Sequence, residues 1–285
     1  MAQASKRLIL NADDFGLHSA INAAVLKGCR DGLITSASLI TTADRPSAYA
    51  EAVAIARDCP ALDVGLHFTL VGVGALPKRY DSFLAARMTG QFPPSRLETM
   101  LRRQLDTLIA SGIRPSHIDS HQHLHVLPSV LRVVVAVAAE YGIDAIRIPL
   151  DTARVDAGPM RSVLARVLAL LSRRAAKVAA RAGLWSPDSF HGMAISGRLS
   201  AAHLIEIVEN LPESGVAEII CHPGADNAAL EAAFGWGFDW EGEFAAALSP
   251  EVRRVVETRG IGVTNFRDEA RGRHPGNHRP GATPE

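Results

Sequence analysis

The 285-residue chain has only three cysteines, Cys29, Cys59 and Cys221, and no Cys-x-x-Cys pair. That speaks against a disulfide framework and against a thiolate zinc site, and it points to a reducing compartment. Neither charge is in excess, since 30 Lys and Arg balance 30 Asp and Glu. A generally basic, nucleic-acid-binding protein is therefore not expected, although local patches are still open. There is no run of about 18 uncharged apolar residues, so no membrane-spanning helix is expected. The apolar part of "MAQASKRLILN" is too short for a signal peptide, which makes the cytoplasm the expected location. No Gly-rich phosphate loop follows the first apolar run, which disfavours an open, doubly wound sheet.

What is present is enough for one large core, because 47% of the residues are hydrophobic. Strand and helix signals alternate along the chain. "RLILNA", "ITSASLIT", "DVGLHFTL", "SHIDSHQ", "AIRIPL", "VAEIICHPG" and "GIGVTNF" read as strands. Helical spacing separates them, with Pro46 and Pro128 as openers and Gly32 and Gly112 as stops. This alternation predicts a parallel sheet with helices packed outside it. The expected fold is a single-domain, irregular (β/α) barrel of TIM type over residues 1–270. Residues 71–95 should form a long loop over its mouth, and 271–285 ("RGRHPGNHRPGATPE") a disordered tail. A barrel is preferred because Asp13, Asp14, His67, His121, Arg147 and His222 all fall at or just past strand C-terminal ends, which a barrel gathers around one mouth.

Two adjacent carboxylates, Asp13 and Asp14, end the first apolar strand. Burying either one unpaired costs several kcal/mol, so a nearby cation is expected, a metal ion first. "HIDSHQHLH" sets His117, Asp119, His121, His123 and His125 within nine residues. Alternate residues of an extended segment share a face. Imidazole with carboxylate suits Zn, Mn or Fe, and carboxylate with water suits Mg. At most two of these histidines should be ligands; the others orient the site or face solvent. His67 and His222, taken singly, read as core histidines, but the Pro-Gly turn after His222 would expose it at the mouth. Arg147, on an apolar strand, calls for a carboxylate partner from Asp13 or Asp14, and the pair could serve the fold alone.

"NADDFG", "TSASL", "GLHFTL", "HIDSHQHLH" and "CHP", in that order, resemble the YdjC-like family of carbohydrate deacetylases, which includes the diacetylchitobiose deacetylases. Through "GLHFTLVGVGALP" and the central insertion the chain is most similar to the hopanoid-biosynthesis-associated branch (HpnK). The resemblance implies an irregular (β/α) barrel, a divalent metal (Mg or Zn) and hydrolysis of an N-acetyl group from an amino sugar. It places metal ligands at Asp14, His67 and His121. Asp14 is chosen over Asp13 only by analogy with the wider polysaccharide deacetylases. Asp13 is then the candidate general base, kept ionised by the metal and Arg147. His222 is the candidate general acid. His125 is a second candidate, for acid or substrate contact.

The expected substrate is an acetylglucosaminyl hopanoid, with a chitooligosaccharide as the alternative. A metallo-phosphoesterase or a non-catalytic metal- or sugar-binding protein is a further alternative. Few Lys or Arg near the expected mouth argue against phosphate, and a passive site needs neither base nor acid. Residues 159–182 carry Met160, Val163, Leu164, Val167, Leu168 and Leu171 at helical spacing, with Arg161, Arg166, Arg173, Arg174, Lys177 and Arg181. Such a basic amphipathic helix either covers the barrel with a solvated face or makes peripheral contact with the inner membrane face. Trp236, Phe238 and Trp240 in "FGWGFDW" are candidates to stack on a sugar, to touch lipid or to pack in a loop. The expected partners are thus a small-molecule or glycolipid substrate bearing N-acetylglucosamine, no nucleic acid, and a second copy of the chain in a candidate homodimer.

Overall fold

The structure is a computed structural model that describes residues 6–41, 45–151 and 158–273, with the side chains of 158–165 left out. Strands and helices follow in the order β1 (Lys6–Phe15), α1 (Ser19–Asp31), β2 (Ser36–Leu39), α2 (Pro46–Asp58), β3 (Asp63–Phe68), α3 (Tyr80–Met88), α4 (Pro94–Ala110) and β4 (His117–Ser120). Then come α5 (Pro128–Tyr141), β5 (Ala145–Ile146), α6 (Gly158–Arg181), β6 (Ser189–His191), α7 (Ala201–Glu209), β7 (Gly215–Cys221), α8 (Asn227–Phe234), α9 (Trp240–Leu248), α10 (Pro250–Thr258), β8 (Gly262–Val263) and α11 (Phe266–Arg273).

Local chemistry sets the element ends. Pro46, Pro94, Pro128 and Pro250 open α2, α4, α5 and α10, where a missing N–H costs nothing. Gly142 closes α5 in the left-handed conformation at φ 64°. Leu97, Leu101, Leu105 and Leu108 form one fully buried stripe of α4, the spacing that turns a helix face onto a sheet. Leu101→Ala should destabilise the fold by about 2–5 kcal/mol through the lost apolar burial and the cavity left behind. A urea titration would read this as a lower midpoint at unchanged slope.

All strand pairs are parallel, in the order β5-β4-β3-β2-β1-β7-β6, with β8 also pairing with β1. The sheet curls so that its edges approach each other. Ala145 bridges to Trp185 and Asp151 to Phe190, but among the described residues no continuous ladder joins β5 to β6. The molecule is thus a single α/β unit with a curled parallel sheet, consistent with a (β/α) barrel that is not fully closed. The break has a local cause: "AIRIPL", expected as a full strand, pairs only over Ala145–Ile146, and Pro149 beyond it has no N–H to donate.

Three expectations change. The expected loop 71–95 contains α3, anchored by buried Phe83 against Phe92 at 4.9 Å between ring centroids. The expected tail begins inside α11, which runs to Arg273; residues 274–285 lie outside the described residues. Strand β6, three residues long, carries too short a pattern to be read from sequence. No described helix is long and apolar enough to cross a membrane.

Candidate active site

The two adjacent carboxylates are resolved by the shape of β1. Its pairing with β2 runs to Ala12↔Ala37 and resumes at Phe15↔Leu39, so three steps on β1 span two on β2. This bulge holds Asp13 and Asp14. In a regular strand their side chains would point to opposite faces; here both lie in the mouth, 3% and 1% exposed. Asp14 is left-handed at φ 64°, a conformation that costs a non-glycine residue about 1–3 kcal/mol and that tends to occur at functional sites.

Asp14 faces two imidazoles. Its Oδ1 lies 2.9 Å from His121 Nδ1 and 3.4 Å from His67 Nε2. Its buried Oδ2 has no hydrogen-bond partner among the described residues. One donor atom from each of Asp14, His67 and His121 falls within 4.8 Å of the others. A buried carboxylate with one unmatched oxygen, beside two inward-facing ring nitrogens, is a donor set that fits a divalent cation.

The supports are equally specific. Asp119 Oδ1 sits 2.8 Å from His67 Nδ1 and so turns Nε2 toward Asp14, the orienting role a carboxylate plays behind a ligand histidine. Ser38 Oγ donates to the other oxygen of Asp119 at 2.8 Å. Gln104 on α4 pins the end of β3 by bonding both N and O of Thr69 at 2.9 Å. The segment after β4 turns sharply through His121–Val126, with Gln122 and His123 left-handed at φ 58° and 55°. Gln122 Oε1 accepts from Tyr80 N at 2.9 Å, tying α3 to this turn. Gly72 (φ 81°) lies against His121, where an added Cβ would meet Nε2 at 3.1 Å.

Arg147 is fully buried. Its Nη1 and Nη2 donate to Asp13 Oδ2 and Oδ1 at 2.9 and 2.7 Å, its Nε donates to Glu218 Oε1 at 2.7 Å, and Nη1 also contacts Asp119. Asp13 is therefore the partner, and Asp14 is left for the histidines. Asp13, His67 and Asp119 form a second close donor group, but Arg147 already supplies the cation for both carboxylates.

His222, at the end of β7, reaches the mouth with Nε2 4.0 Å from Asp13 Oδ2. Behind it, buried Glu243 of α9 accepts from the His222 backbone N–H and lies 3.7 Å from Nδ1. His125 behaves differently. It is fully buried, with Nδ1 2.8 Å from Ser120 Oγ and Nε2 2.8 Å from the Arg147 carbonyl, so neither ring nitrogen is left for substrate. His117 is buried under Gly65 and stacked on Phe266 at 3.8 Å. Trp236 stands between left-handed Gly235 and Gly237, 5.5 Å from the His121 ring and 4.8 Å from the Phe234 ring. It is half-buried beside the donor set.

The electrostatics follow this wiring. Burial alone would raise Asp14, but His121 and His67 hold it well below the ordinary carboxylate range. Burial would lower His67, yet the charge and hydrogen bond of Asp119, with Asp14 and Asp13, push it up to about 10. A divalent ion must compete with that proton, so affinity should tighten as pH rises. Burial would likewise lower His222, but Glu243, Asp13 and Asp14 push it up to about 9. His125, where burial dominates, falls to about 4.

Sequence reasoning missed Glu243 and Glu218. Glu218 had a signal, a lone charge in the apolar run "VAEIIC" of a parallel strand. Glu243 had none, because with Glu241 it reads as an ordinary carboxylate in the first turn of a helix.

The chain belongs to the YdjC-like protein family, whose sequence profile it matches over residues 7–258. It is 28% identical over 273 residues to a carbohydrate deacetylase of Geobacillus stearothermophilus, covering 91% of this chain and 96% of that one. It is 27% identical over 277 residues to a chitooligosaccharide deacetylase of Citrobacter koseri, covering 92% and 98%. Among solved structures it shares its fold with a protein of Enterococcus faecalis described as a candidate cellobiose-phosphate cleavage protein. That match has a TM-score of 0.74 at 22% identity and covers 93% and 99% of the two chains.

Proposed function

We propose that the protein is a divalent-metal-dependent N-deacetylase acting on N-acetylated sugars of the chitooligosaccharide type. The observation that carries this reading is the mouth itself, where a cation-fitting donor set of Asp14, His67 and His121 adjoins Asp13 and His222. The names of the relatives support the substrate class.

When bound, a divalent ion supplies Lewis acidity to the acetyl carbonyl and the attacking water. Asp13, gripped by both terminal nitrogens of Arg147, takes a proton from that water. The water oxygen bonds to the carbonyl carbon, and the C–N bond then breaks. His222 gives its proton to the departing amine, leaving acetate and a free amino sugar. Trp236 presents an aromatic face beside the reacting centre, suited to the apolar face of a pyranose ring. Glu243 sets the charge on His222, so kcat/KM should fall as pH rises through about 9. Glu243→Gln should move that alkaline limb down by about one unit or more, measured as the kcat/KM profile. An unmoved limb would remove His222 from the acid role.

A second reading follows from α6. Among its described side chains Val167 and Leu170 are 48% and 64% exposed, on a face with exposed Arg166, Arg173, Arg174, Lys177 and Arg181. Leu168 and Leu171 are turned partly inward onto the core instead. Met160, Arg161, Val163 and Leu164 lie outside the described side chains. A basic face with two apolar side chains suits peripheral contact of a cytoplasmic protein with an anionic inner membrane face, where an acetylglucosaminyl hopanoid would reside. The two readings separate in one comparison: acetate release from diacetylchitobiose against acetylglucosaminyl hopanoid, alongside flotation with anionic and neutral liposomes. Release from chitobiose with no flotation favours the soluble substrate; hopanoid turnover with anionic flotation favours the lipid.

A further inference from the structure

Arg147 is held on more sides than a simple base-stabilising pair needs. Its two terminal nitrogens grip Asp13, and Nη1 also meets Asp119. The Phe190 ring lies 5.7 Å from its guanidinium carbon. The Nε–H remains, and it is taken by Glu218 Oε1 at 2.7 Å. Glu218 is itself fully buried on β7, in register with Ile9 of β1 and Phe190 of β6. Its Oε2 has no hydrogen-bond partner among the described residues. It is not in either close donor group.

Placing a third carboxylate around one guanidinium is costly, because desolvation and like charge both oppose it. The buried Nε–H needs an acceptor, but for the fold alone a neutral one would serve as well as a carboxylate. The geometry gives a reason: without a partner on Nε, the guanidinium can rotate about its own stem, and the two parallel bonds to Asp13 lose their plane. We infer that Glu218 is a positioning residue that fixes the plane of Arg147 and, through it, the orientation of Asp13. The inference rests on the deacetylase reading for its kinetic form.

Charge enters as well as geometry. Burial, with the nearby Asp13 and Asp119 carboxylates, pushes Glu218 up to about 7 against the pull of Arg147. Below that pH it shares its bond with Arg147 as a neutral acid. Above it, the Nε–H bond to Glu218 is charge-assisted and holds the guanidinium plane more firmly. Glu218→Gln keeps an acceptor for Nε–H and removes the charge; Glu218→Ala removes both.

The test uses the full chain with divalent metal. E218A should lower kcat at least about tenfold with KM within about twofold, since Glu218 orients a group and does not touch substrate. E218Q should match wild type within about threefold near pH 6 and fall behind as pH rises through about 7, a gap that a purely structural role would not produce. Metal affinity should be unchanged in both. Independently of turnover, the Nε–H resonance of Arg147, assigned by its loss in Arg147→Lys, should exchange with solvent at least about tenfold faster in E218A and stay protected in E218Q. Unchanged exchange in E218A would overturn the inference. So would wild-type kcat in E218A, or a pH-independent ratio for E218Q; the last decides the matter alone if E218A does not fold. The expected exchange pattern in a protein that releases no acetate would sustain Glu218 and defeat the deacetylase reading instead.

Discussion

Asp13→Asn should lower turnover by about 10²–10⁴-fold while leaving divalent-metal binding intact. The two halves of that result follow from different contacts. Asp13 bonds Arg147 and Asn11, not the imidazoles; Asn11 Nδ2 donates to its Oδ1 at 2.8 Å. The donor set belongs to its neighbour Asp14. An amide at position 13 can still accept from Arg147, and Asp119 and Glu218 continue to balance the guanidinium. The fold should therefore hold and the metal should stay, while the group that takes the proton from water is gone. Elemental analysis beside single-turnover acetate release reads both halves. Full activity in Asp13→Asn would remove the base assignment, and loss of metal would exchange the roles of the two aspartates.

His121→Ala should abolish both metal binding and turnover, the largest combined effect expected. Two protein donors do not make the site that three make, and His121 sits at the strained turn that aims Nδ1 at Asp14. The contrast is Asp119→Asn. It leaves all three donors in place but loosens the ring of His67 and should weaken metal affinity by about 10–100-fold without abolishing it. Isothermal titration with a divalent ion ranks the variants directly. Equal affinity in wild type and His121→Ala would show that the cation lies elsewhere.

The parts of this site that were legible in the sequence are those that end strands. Asp14, His67 and His121 each fall at the end of a segment that reads as a strand, and parallel strands bring such ends together, so their meeting is legible in the sequence. The supports were not legible, because they depend on contacts across the chain. Arg147 meets Glu218 71 residues away, and His222 meets Glu243 in a helix whose sequence marks no such role. The bulge at Asp13 and Asp14 was hidden for a different reason: one extra residue changes the facing of a side chain without changing composition or period. The place of His125 in the histidine run points to an acid or a substrate contact. The turn after β4 carries it inward, onto Ser120 and the Arg147 carbonyl. In the fold, the proline that shortens β5 was visible, but its effect on closure of the sheet was not, since closure depends on where the opposite edge lies.

The most direct test of the account is stoichiometric. Purified protein is stripped with a chelator, reloaded with one equivalent of divalent metal per chain, and incubated with diacetylchitobiose while acetate and free amine are counted. The account predicts no product from the stripped protein and equal amounts of acetate and amine after reloading, with full activity at one ion per chain. Undiminished product from stripped protein, or none with any of Zn, Mg, Mn, Fe or Co on this or any other N-acetylated sugar, would contradict it.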